Sequence, residues 1–189
     1  TYVASLFQMI RDKIDPHFKP ERSLDFGCGV GRVLIPIAKR SGQAVGIDIS
    51  ETMLQEARKQ VDSFGLNNVQ LIKGDDTLSS VEGPFDLVHS VIVFQHIPVA
   101  RGEALFAELL KRMRHGSVGA IHFTYAKGFE PVRPTLRLRW QRFWKRIGNA
   151  IQSLRGNPVM QMNDYSLNVI FRMIQEHGIK RTNVSFFDH

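Results

Sequence analysis

The segment LDFGCGVGRV at residues 24–33 constrains the fold of this chain more than any other stretch. A short apolar run is followed by three glycines that alternate with other residues, and apolar residues then resume at helical spacing. Glycine allows positive φ angles and lets a ligand approach the backbone closely, and the first turn of a helix presents backbone N–H groups. The pattern therefore predicts a strand, a glycine-rich loop and a helix that form a nucleotide-type site at the carboxyl edge of a sheet.

Short apolar runs alternate with amphipathic helical patterns along the rest of the chain, which predicts an α/β fold with a doubly wound, mostly parallel sheet. Strands are predicted at 23–26, 44–48, 69–73, 85–90, 118–125 and 180–187. Helices are predicted at 2–14, from Val33 to near Gly42 with Pro36 in an early turn or at a kink, from Ser50 to Phe64, from Leu105 through Met113 to Gly116, and from Leu167 to Gly178. Only one strand follows the last helix, so we expect the sheet edge to be completed by residues beyond His189 or by another chain.

The composition is that of an ordinary globular protein. A chain of 189 residues that is 43% hydrophobic is enough for one domain, expected over residues 1–189. Cys28 is the one cysteine, which excludes an internal disulfide and favours a reducing, cytoplasmic location. No apolar run of about 18 residues predicts a membrane span, and no metal site is predicted. The chain begins at Thr1 rather than Met, so we expect it to be a fragment.

The residues around the glycines indicate which nucleotide the loop binds. The glycines follow the spacing G-x-G-x-G from Gly27, and Arg32 stands where a dinucleotide fingerprint has its third glycine. Asp25, two residues before the first glycine, would repel a pyrophosphate but would suit an ammonium group. Asp48 ends the second predicted strand, at the place where an acid accepts hydrogen bonds from ribose hydroxyls. The predicted ligand is therefore a nucleoside with a cationic amino-acid tail, as in S-adenosylmethionine.

On these residues the chain resembles the class I S-adenosylmethionine-dependent methyltransferases, over roughly residues 20–125 and again in the last helix and strand. Four segments resemble the motifs of that family in order: LDFGCGVGR the first motif, VGIDIS the ribose-binding motif, IKGDDTL the adenine motif and FDLVHSVIVFQHIP the fourth motif. The resemblance implies a Rossmann-like fold with a helical insertion after strand five and S-adenosyl-L-methionine as the cofactor. It also implies methyl transfer to a small-molecule or lipid-like acceptor at oxygen or nitrogen.

The resemblance further implies a set of cofactor-binding residues. Asp25 would hold the methionine ammonium through water, Asp48 the ribose hydroxyls and Asp75 the adenine amino group. The full implied set is Asp25, Gly27, Cys28, Gly29, Arg32, Asp48, Ile49, Met53, Asp75, Asp76, Thr77, Ser90 and Val91. Within it, Arg32 would reach the methionine carboxylate, Ile49 and Met53 would pack against the adenosine, the Asp76 N–H would face the adenine ring, and the Ser90 carbonyl would receive the ammonium. Alternatively, the glycines form only a tight turn, Asp48 caps the next helix, the GDDT acids are turn formers and Arg32 is solvated.

The candidate catalytic residues follow strands four and five. Methyl transfer from a sulfonium needs mainly alignment and exclusion of water, and it needs a general base only where the acceptor proton has a high pKa. His96 is the first candidate base, with a role in loop structure as the alternative. Tyr125 is a candidate for substrate contact, whereas His89 and His122 are expected to be structural. No Asn/Asp-Pro-Pro-Tyr/Phe motif follows strand four, which by resemblance to the enzymes that carry this motif argues against exocyclic amino groups of bases as acceptors. A single cysteine argues against a two-cysteine pyrimidine-C5 mechanism.

The segment 126–163 departs from the minimal family pattern. Residues 131–163 hold seven basic residues and no acid, and the rest of the chain has 18 basic and 18 acidic residues. Its aromatic residues fall on one helical face, which predicts an amphipathic helix over 135–155 that acts as a lid on the acceptor pocket. The alternatives are that it lies on a membrane surface, or that it binds nucleic acid phosphates or an acidic partner. The functional alternatives are a non-catalytic S-adenosylmethionine-binding module of a larger polypeptide, an RNA methyltransferase that uses the basic segment, and an NAD-type oxidoreductase.

Overall fold

The computed structural model describes residues 1–126 and 162–186. These residues form a five-stranded, all-parallel sheet with the order β3-β2-β1-β4-β5. The strands are β1 (Arg22–Phe26), β2 (Gln43–Asp48), β3 (Val69–Lys73), β4 (Phe85–Ser90) and β5 (Met113–Ile121). The helices are α1 (Tyr2–Lys13), α2 (Leu34–Ala38), α3 (Glu51–Ser63), a 3₁₀ turn (Phe94–His96), α4 (Val99–Lys111) and α5 (Leu167–Glu176). The predicted Rossmann-like, doubly wound fold is confirmed, and its strand order reverses between β1 and β4.

Helices cover both faces of the sheet, which is why its central strands are buried on both sides. On one face α1 packs through Phe7 and Ile10 against Leu87 of β4, and α2 and α3 cover β2 and β3. On the other face α4 and α5 pack through Phe106 and Ile170 against β1, β2 and β4. Within the two described ranges, no helix is long and apolar enough to cross a membrane.

Local sequence signals account for the helix starts near the site. The Ser50 hydroxyl accepts a hydrogen bond from the Met53 N–H at 3.3 Å, so the predicted cap of α3 is confirmed. Pro36 lies in the first turn of α2, where the missing proline N–H costs no intrahelical bond. That helix ends at Ala38 rather than near Gly42, and turns lead from it into β2.

The start of β5 differs from the prediction, because Met113 belongs to this strand and not to the preceding helix. The Arg112 backbone carbonyl accepts a hydrogen bond from the Phe85 N–H at 2.8 Å, and its guanidinium donates to the Leu78 carbonyl at 2.8 Å. These long-range bonds pull the chain into the sheet directly after α4. The sequence pattern around Met113 is apolar at helical spacing and gives no sign of them.

An irregular stretch separates the two halves of β5. Phe85 pairs with Met113 and Leu87 pairs with Val118, so two residue steps on β4 face five on β5. Gly116 lies inside this bulge with φ +83°, a conformation that glycine adopts easily. The predicted helix stop at Gly116 is therefore wrong, and the strand ends at Ile121 rather than at Tyr125.

The predicted last strand is also wrong over residues 180–186, which have no regular secondary structure and are exposed. Arg181 donates to the Lys13 and Ile14 carbonyls at 2.6 and 3.4 Å, and Lys13 donates to the Asn183 side chain at 3.3 Å. This segment therefore lies against the carboxyl end of α1 and not against β5. The predicted helix at 135–155, with its lid, membrane and nucleic-acid interpretations, lies outside the described residues and stays a prediction.

Tyr165 fixes the loop that follows β4. Its side chain is buried, and its hydroxyl lies 3.0 Å from the Phe94 carbonyl and 2.8 Å from the Ile97 carbonyl. The hydroxyl lies directly over Gly102 of α4, where an added Cβ would be 2.0 Å from the tyrosine oxygen. Gly102 thus makes room for the side chain that holds the β4 exit loop.

We predict that Gly102→Ala lowers the free energy of unfolding by about 1–3 kcal/mol, because the methyl group displaces Tyr165. At an ordinary helix position a glycine-to-alanine change has the opposite effect and raises the free energy of unfolding by about 1 kcal/mol. Urea unfolding followed by circular dichroism measures the change. Ala100→Gly, at an exposed position of the same helix, is the reference and should also destabilise. A Gly102→Ala protein more stable than the parent would contradict the packing described for Tyr165.

Candidate functional site

The glycine loop leaves the carboxyl end of β1 and is tied to the end of β2. Gly27 has φ +74°, and a Cβ there would lie 2.3 Å from a methyl group of Val93, so both its backbone and its packing require glycine. The Gly27 and Cys28 N–H groups donate to the Ile47 carbonyl at 2.8 and 2.9 Å. The Gly29 N–H donates to the Asp48 carboxylate at 2.9 Å. These three N–H groups are therefore engaged within the chain and are not available to a pyrophosphate.

Asp48 is held in a fixed orientation at the carboxyl end of β2. One carboxylate oxygen accepts from the Gly29 N–H and the other from the Ser50 N–H, each at 2.9 Å. Each oxygen keeps a second lone pair, so the group can accept two further hydrogen bonds. Ile49, the next residue, is 69% exposed, and Met53 in the first turn of α3 is 44% exposed. An acceptor pair for two hydroxyls thus lies beside exposed apolar side chains.

Asp25 lies beneath the loop in a buried hydrogen-bonded chain. Asp25 pairs in register with His89 across β1 and β4, and its Oδ1 lies 2.7 Å from His89 Nδ1. The other ring nitrogen, Nε2, lies 3.0 Å from the Tyr2 hydroxyl in α1. His89 is fully buried and Asp25 is 2% exposed. Asp25 Oδ2 is buried and has no hydrogen-bond partner among the described residues.

The end of β4 carries Ser90 and Val91 into a strained turn. The Ser90 carbonyl accepts from the His122 N–H at 2.9 Å, so one lone pair of this predicted ammonium acceptor is already used. Ile92 has φ +60°, which is unfavourable for a β-branched residue. Its N–H points to His122 Nδ1 at 3.4 Å. Such strain often marks functional loops, and here it lies within the predicted fourth motif.

The acids predicted to bind adenine are engaged within their own loop. Asp75 accepts hydrogen bonds from the Thr77 N–H and hydroxyl, at 2.8 and 2.9 Å, and from the Ser79 hydroxyl. These bonds, that of Ser79 above all, hold the pKa of Asp75 well below its ordinary value. Asp76 pairs with Arg101 of α4. The alternative interpretation of these acids as turn formers therefore describes part of their role.

Two further members of the implied set contribute no side chain to the site. The Cys28 thiol points into a buried cluster with Leu34, Ala44 and Leu54. Burial above all, together with the charges of Asp25 and Asp48, raises the pKa of this thiol. Arg32 is exposed and makes no ion pair within residues 1–126 and 162–186.

The structure does not bring the two candidate catalytic residues into contact. His96 is exposed, and its Nε2 lies 3.1 Å from the Gln95 amide nitrogen. An amide nitrogen can only donate, so His96 Nε2 is the accepting nitrogen of the ring. Tyr125 is 53% exposed and packs edge-to-face against Phe186, with ring centroids 5.3 Å apart.

Gln95 is a residue that the sequence did not single out. Its side-chain oxygen accepts from the Thr124 hydroxyl at 3.2 Å, and its backbone carbonyl accepts from the Asn163 N–H at 2.7 Å. It therefore links the loop after β4 to the segments on both sides of the undescribed region. The sequence also missed that His89 faces Asp25. The only signal was that both are titratable residues inside predicted strands.

Comparisons with known proteins agree with this architecture. Residues 24–116 match the family model of a methyltransferase domain. Ajmaline N-methyltransferase of Rauvolfia serpentina is 27% identical over 160 residues, which are 79% of this chain and 54% of that protein. Aklanonic acid methyltransferase of Streptomyces sp. (strain C5) is 39% identical over 109 residues, which are 55% of this chain and 47% of that protein. The chain thus spans about half the length of the curated relatives it matches.

A solved structure shares the fold. Magnesium protoporphyrin IX methyltransferase from Synechocystis PCC 6803, determined with bound SAH, has a TM-score of 0.65 at 20% identity, covering 94% of this chain and 71% of that one. Fold and matched domain together define a methyltransferase domain built on a Rossmann-like sheet. Residues 24–116 form this domain, and it is of the class I, S-adenosylmethionine-dependent kind.

We predict that Ser79→Ala raises the pKa of Asp75 toward its ordinary value of about 3.9, because the hydroxyl that contributes most to the lowering is lost. A lowered folded-state pKa stabilises the loop above the unfolded-state value, and this stabilisation is lost as the pH falls through the folded-state pKa. NMR titration of the aspartate carboxyl carbons measures the shift. Ser80→Ala, at the exposed neighbouring residue, is the control and should leave Asp75 unchanged. Equal titration of Asp75 in both variants would disprove the assigned cause.

Proposed function

We propose that this chain binds S-adenosylmethionine at the carboxyl edge of its sheet and transfers the methyl group to a small-molecule acceptor at oxygen or nitrogen. The observation that carries the proposal is the geometry of Asp48. Its carboxylate is fixed by two backbone N–H groups and keeps one lone pair on each oxygen. This arrangement suits the two hydroxyls of a ribose.

The rest of the site fits the same cofactor. The exposed side chains of Ile49 and Met53 offer an apolar surface for the adenine ring. The loop at Gly27 and Gly29 would lie along the methionine part, with the Asp25 carboxylate and the Ser90 carbonyl on the side of its ammonium group. Because the N–H groups of Gly27, Cys28 and Gly29 are already bonded within the chain, a diphosphate would find no donors at these three residues. Together with the two nearby carboxylates, these bonds favour a cationic nucleoside over a dinucleotide.

Bound S-adenosylmethionine supplies a methyl group that is already activated on a sulfonium. The residues of this chain then have to orient the acceptor and exclude water, which is catalysis by proximity. Where the acceptor is a hydroxyl or an ammonium, His96 Nε2 would take its proton after the Gln95 amide gives up its hydrogen bond to this nitrogen, because the accepting nitrogen has a single lone pair. Before the acceptor binds, Gln95 holds the imidazole through this hydrogen bond at 3.1 Å. His96 and Tyr125 are thus proposed for the acceptor side of the site.

The proposed acceptor class rests on the names of the relatives. The two curated relatives described above are named for ajmaline and aklanonic acid, which are small molecules. The described residues add an exposed apolar side chain at the exit of β4, Ile92, and another after β5, Tyr125. These side chains suit an apolar acceptor more than a polyanion.

Titration calorimetry with S-adenosylhomocysteine tests the cofactor assignment. We expect Asp48→Ala to weaken binding about 100-fold, because two hydrogen bonds to a charged acceptor, each worth about 1.5 kcal/mol, are lost. Unchanged affinity in this variant would refute the assignment. Asp62→Ala removes an exposed aspartate at the end of α3 and serves as the control that keeps wild-type affinity.

Two further measurements separate the alternatives with the same protein. Titration with NADH should show no binding, and tight NADH binding would favour an oxidoreductase. Release of S-adenosylhomocysteine in the presence of a panel of phenols, amines and carboxylic acids should show turnover. Cofactor binding without any turnover would favour a non-catalytic binding module.

A further inference from the structure

We propose that Tyr2 and His89 are positioning residues that hold the Asp25 carboxylate for the α-amino group of the cofactor, so that helix α1 takes part in cofactor binding. This inference rests on the function proposed above. The observation behind it is one continuous hydrogen-bonded chain, with 3.0 Å from the Tyr2 hydroxyl to His89 Nε2 and 2.7 Å from His89 Nδ1 to Asp25 Oδ1. These hydrogen bonds connect the half-exposed first turn of α1 to β1, the strand that leads into the glycine loop.

The donors and acceptors of this chain fit one protonation pattern. If the Tyr2 hydroxyl donates to His89 Nε2, then His89 Nδ1 carries the proton and donates to Asp25 Oδ1. The imidazole is then neutral, and the buried pair keeps the single negative charge of the carboxylate. Tyr2 thus selects the tautomer of His89, as the hydrogen bond to one ring nitrogen commonly does. A protonated His89 would cancel the negative charge on which attraction of an ammonium depends.

The second carboxylate oxygen of Asp25 is the evidence that a ligand completes this series of hydrogen bonds. Oδ2 is buried and has no hydrogen-bond partner among the described residues. A buried carboxylate oxygen without a donor is costly, so a donor from a ligand, directly or through one water, would stabilise it. The cationic α-amino group of S-adenosylmethionine has the matching charge and donors. The carboxylate therefore acts through the orientation that His89 gives it.

The loop above Asp25 already experiences its negative charge. The charges of Asp25 and Asp48 both raise the pKa of the Cys28 thiol, in addition to the larger effect of burial. The charge of Asp25 also raises the pKa of Tyr2, again after burial. Two negative groups thus act on the glycine loop, and the N–H groups of Gly27, Cys28 and Gly29 are already bonded within the chain.

The position of Tyr2 depends on the packing of α1. Val3 and Phe7 pack in the cluster that holds Leu87 of β4 and Val118 of β5, which places the first turn of the helix over His89. The Tyr2 ring meets the His89 ring edge-on, with centroids 5.7 Å apart. Because the ring of Tyr2 is half exposed and only its hydroxyl joins the chain, Tyr2→Phe removes one hydrogen bond without opening a cavity.

Calorimetry with two ligands tests the inference. The probes are S-adenosylhomocysteine and its deamino analogue, in which hydrogen replaces the α-amino group. Wild-type protein should prefer S-adenosylhomocysteine. We expect Tyr2→Phe to weaken S-adenosylhomocysteine binding about tenfold and to leave the Kd of the deamino analogue unchanged, since one hydrogen bond that orients the charged pair is lost. His89→Leu, which removes both bonds of the ring, should abolish the preference.

Tyr165→Phe is the matched control. It removes a tyrosine hydroxyl that bonds to the β4 exit loop but takes no part in the Tyr2–His89–Asp25 hydrogen bonds. It should change both affinities by the same factor. Equal weakening of both ligands by Tyr2→Phe would mean a purely structural role and would overturn the inference. Unchanged affinity of Tyr2→Phe for both ligands would overturn it as well. Failure of wild-type protein to bind either ligand would instead refute the proposed function, and the inference with it.

Discussion

The hydrogen bonds that join the glycine loop to the end of β2 are the interactions on which the site depends. Asp48 accepts from the Gly29 N–H, and the Ile47 carbonyl accepts from Gly27 and Cys28. They fix the loop at positive φ angles beside the switch point between β1 and β4. They also engage three N–H groups that would otherwise be open to an anionic ligand. One set of bonds thus shapes the site and, in the function proposed here, disfavours a diphosphate.

Electrostatics complete this selection. Asp48 is the last residue of β2, and Asp25 is the second-last residue of β1. The charges of both raise the pKa of Cys28, so the negative potential is present in the loop itself. Asp25 keeps its place because His89 lies opposite it in register and Tyr2 completes the hydrogen-bonded chain. A nucleoside with a cationic tail fits this environment, and the packing of α1 becomes part of the binding site.

The sequence predicted the elements whose signals are local. β3 and β4 were predicted with their observed bounds, because each is a short apolar run between turn residues. The start of α3 was predicted from the cap at Ser50. The start of β5 was not, because bonds from Arg112 to residues far away in the chain set it. Likewise residues 182–186 alternate β-branched or aromatic residues with polar ones, as a strand does, but Arg181 binds the end of α1 instead.

The same distinction applies to the site. Asp25, Gly27 and Asp48 were recognised from their spacing, whereas the pairing of Asp25 with His89 depends on the register of β1 and β4, which spacing does not reveal.

A crystal structure of the chain with S-adenosylhomocysteine tests the central claim most directly. The account predicts both ribose hydroxyl oxygens within about 3.2 Å of the Asp48 carboxylate, with the amino group on the Asp25 side of the glycine loop. Adenosine bound away from Asp48 would contradict it.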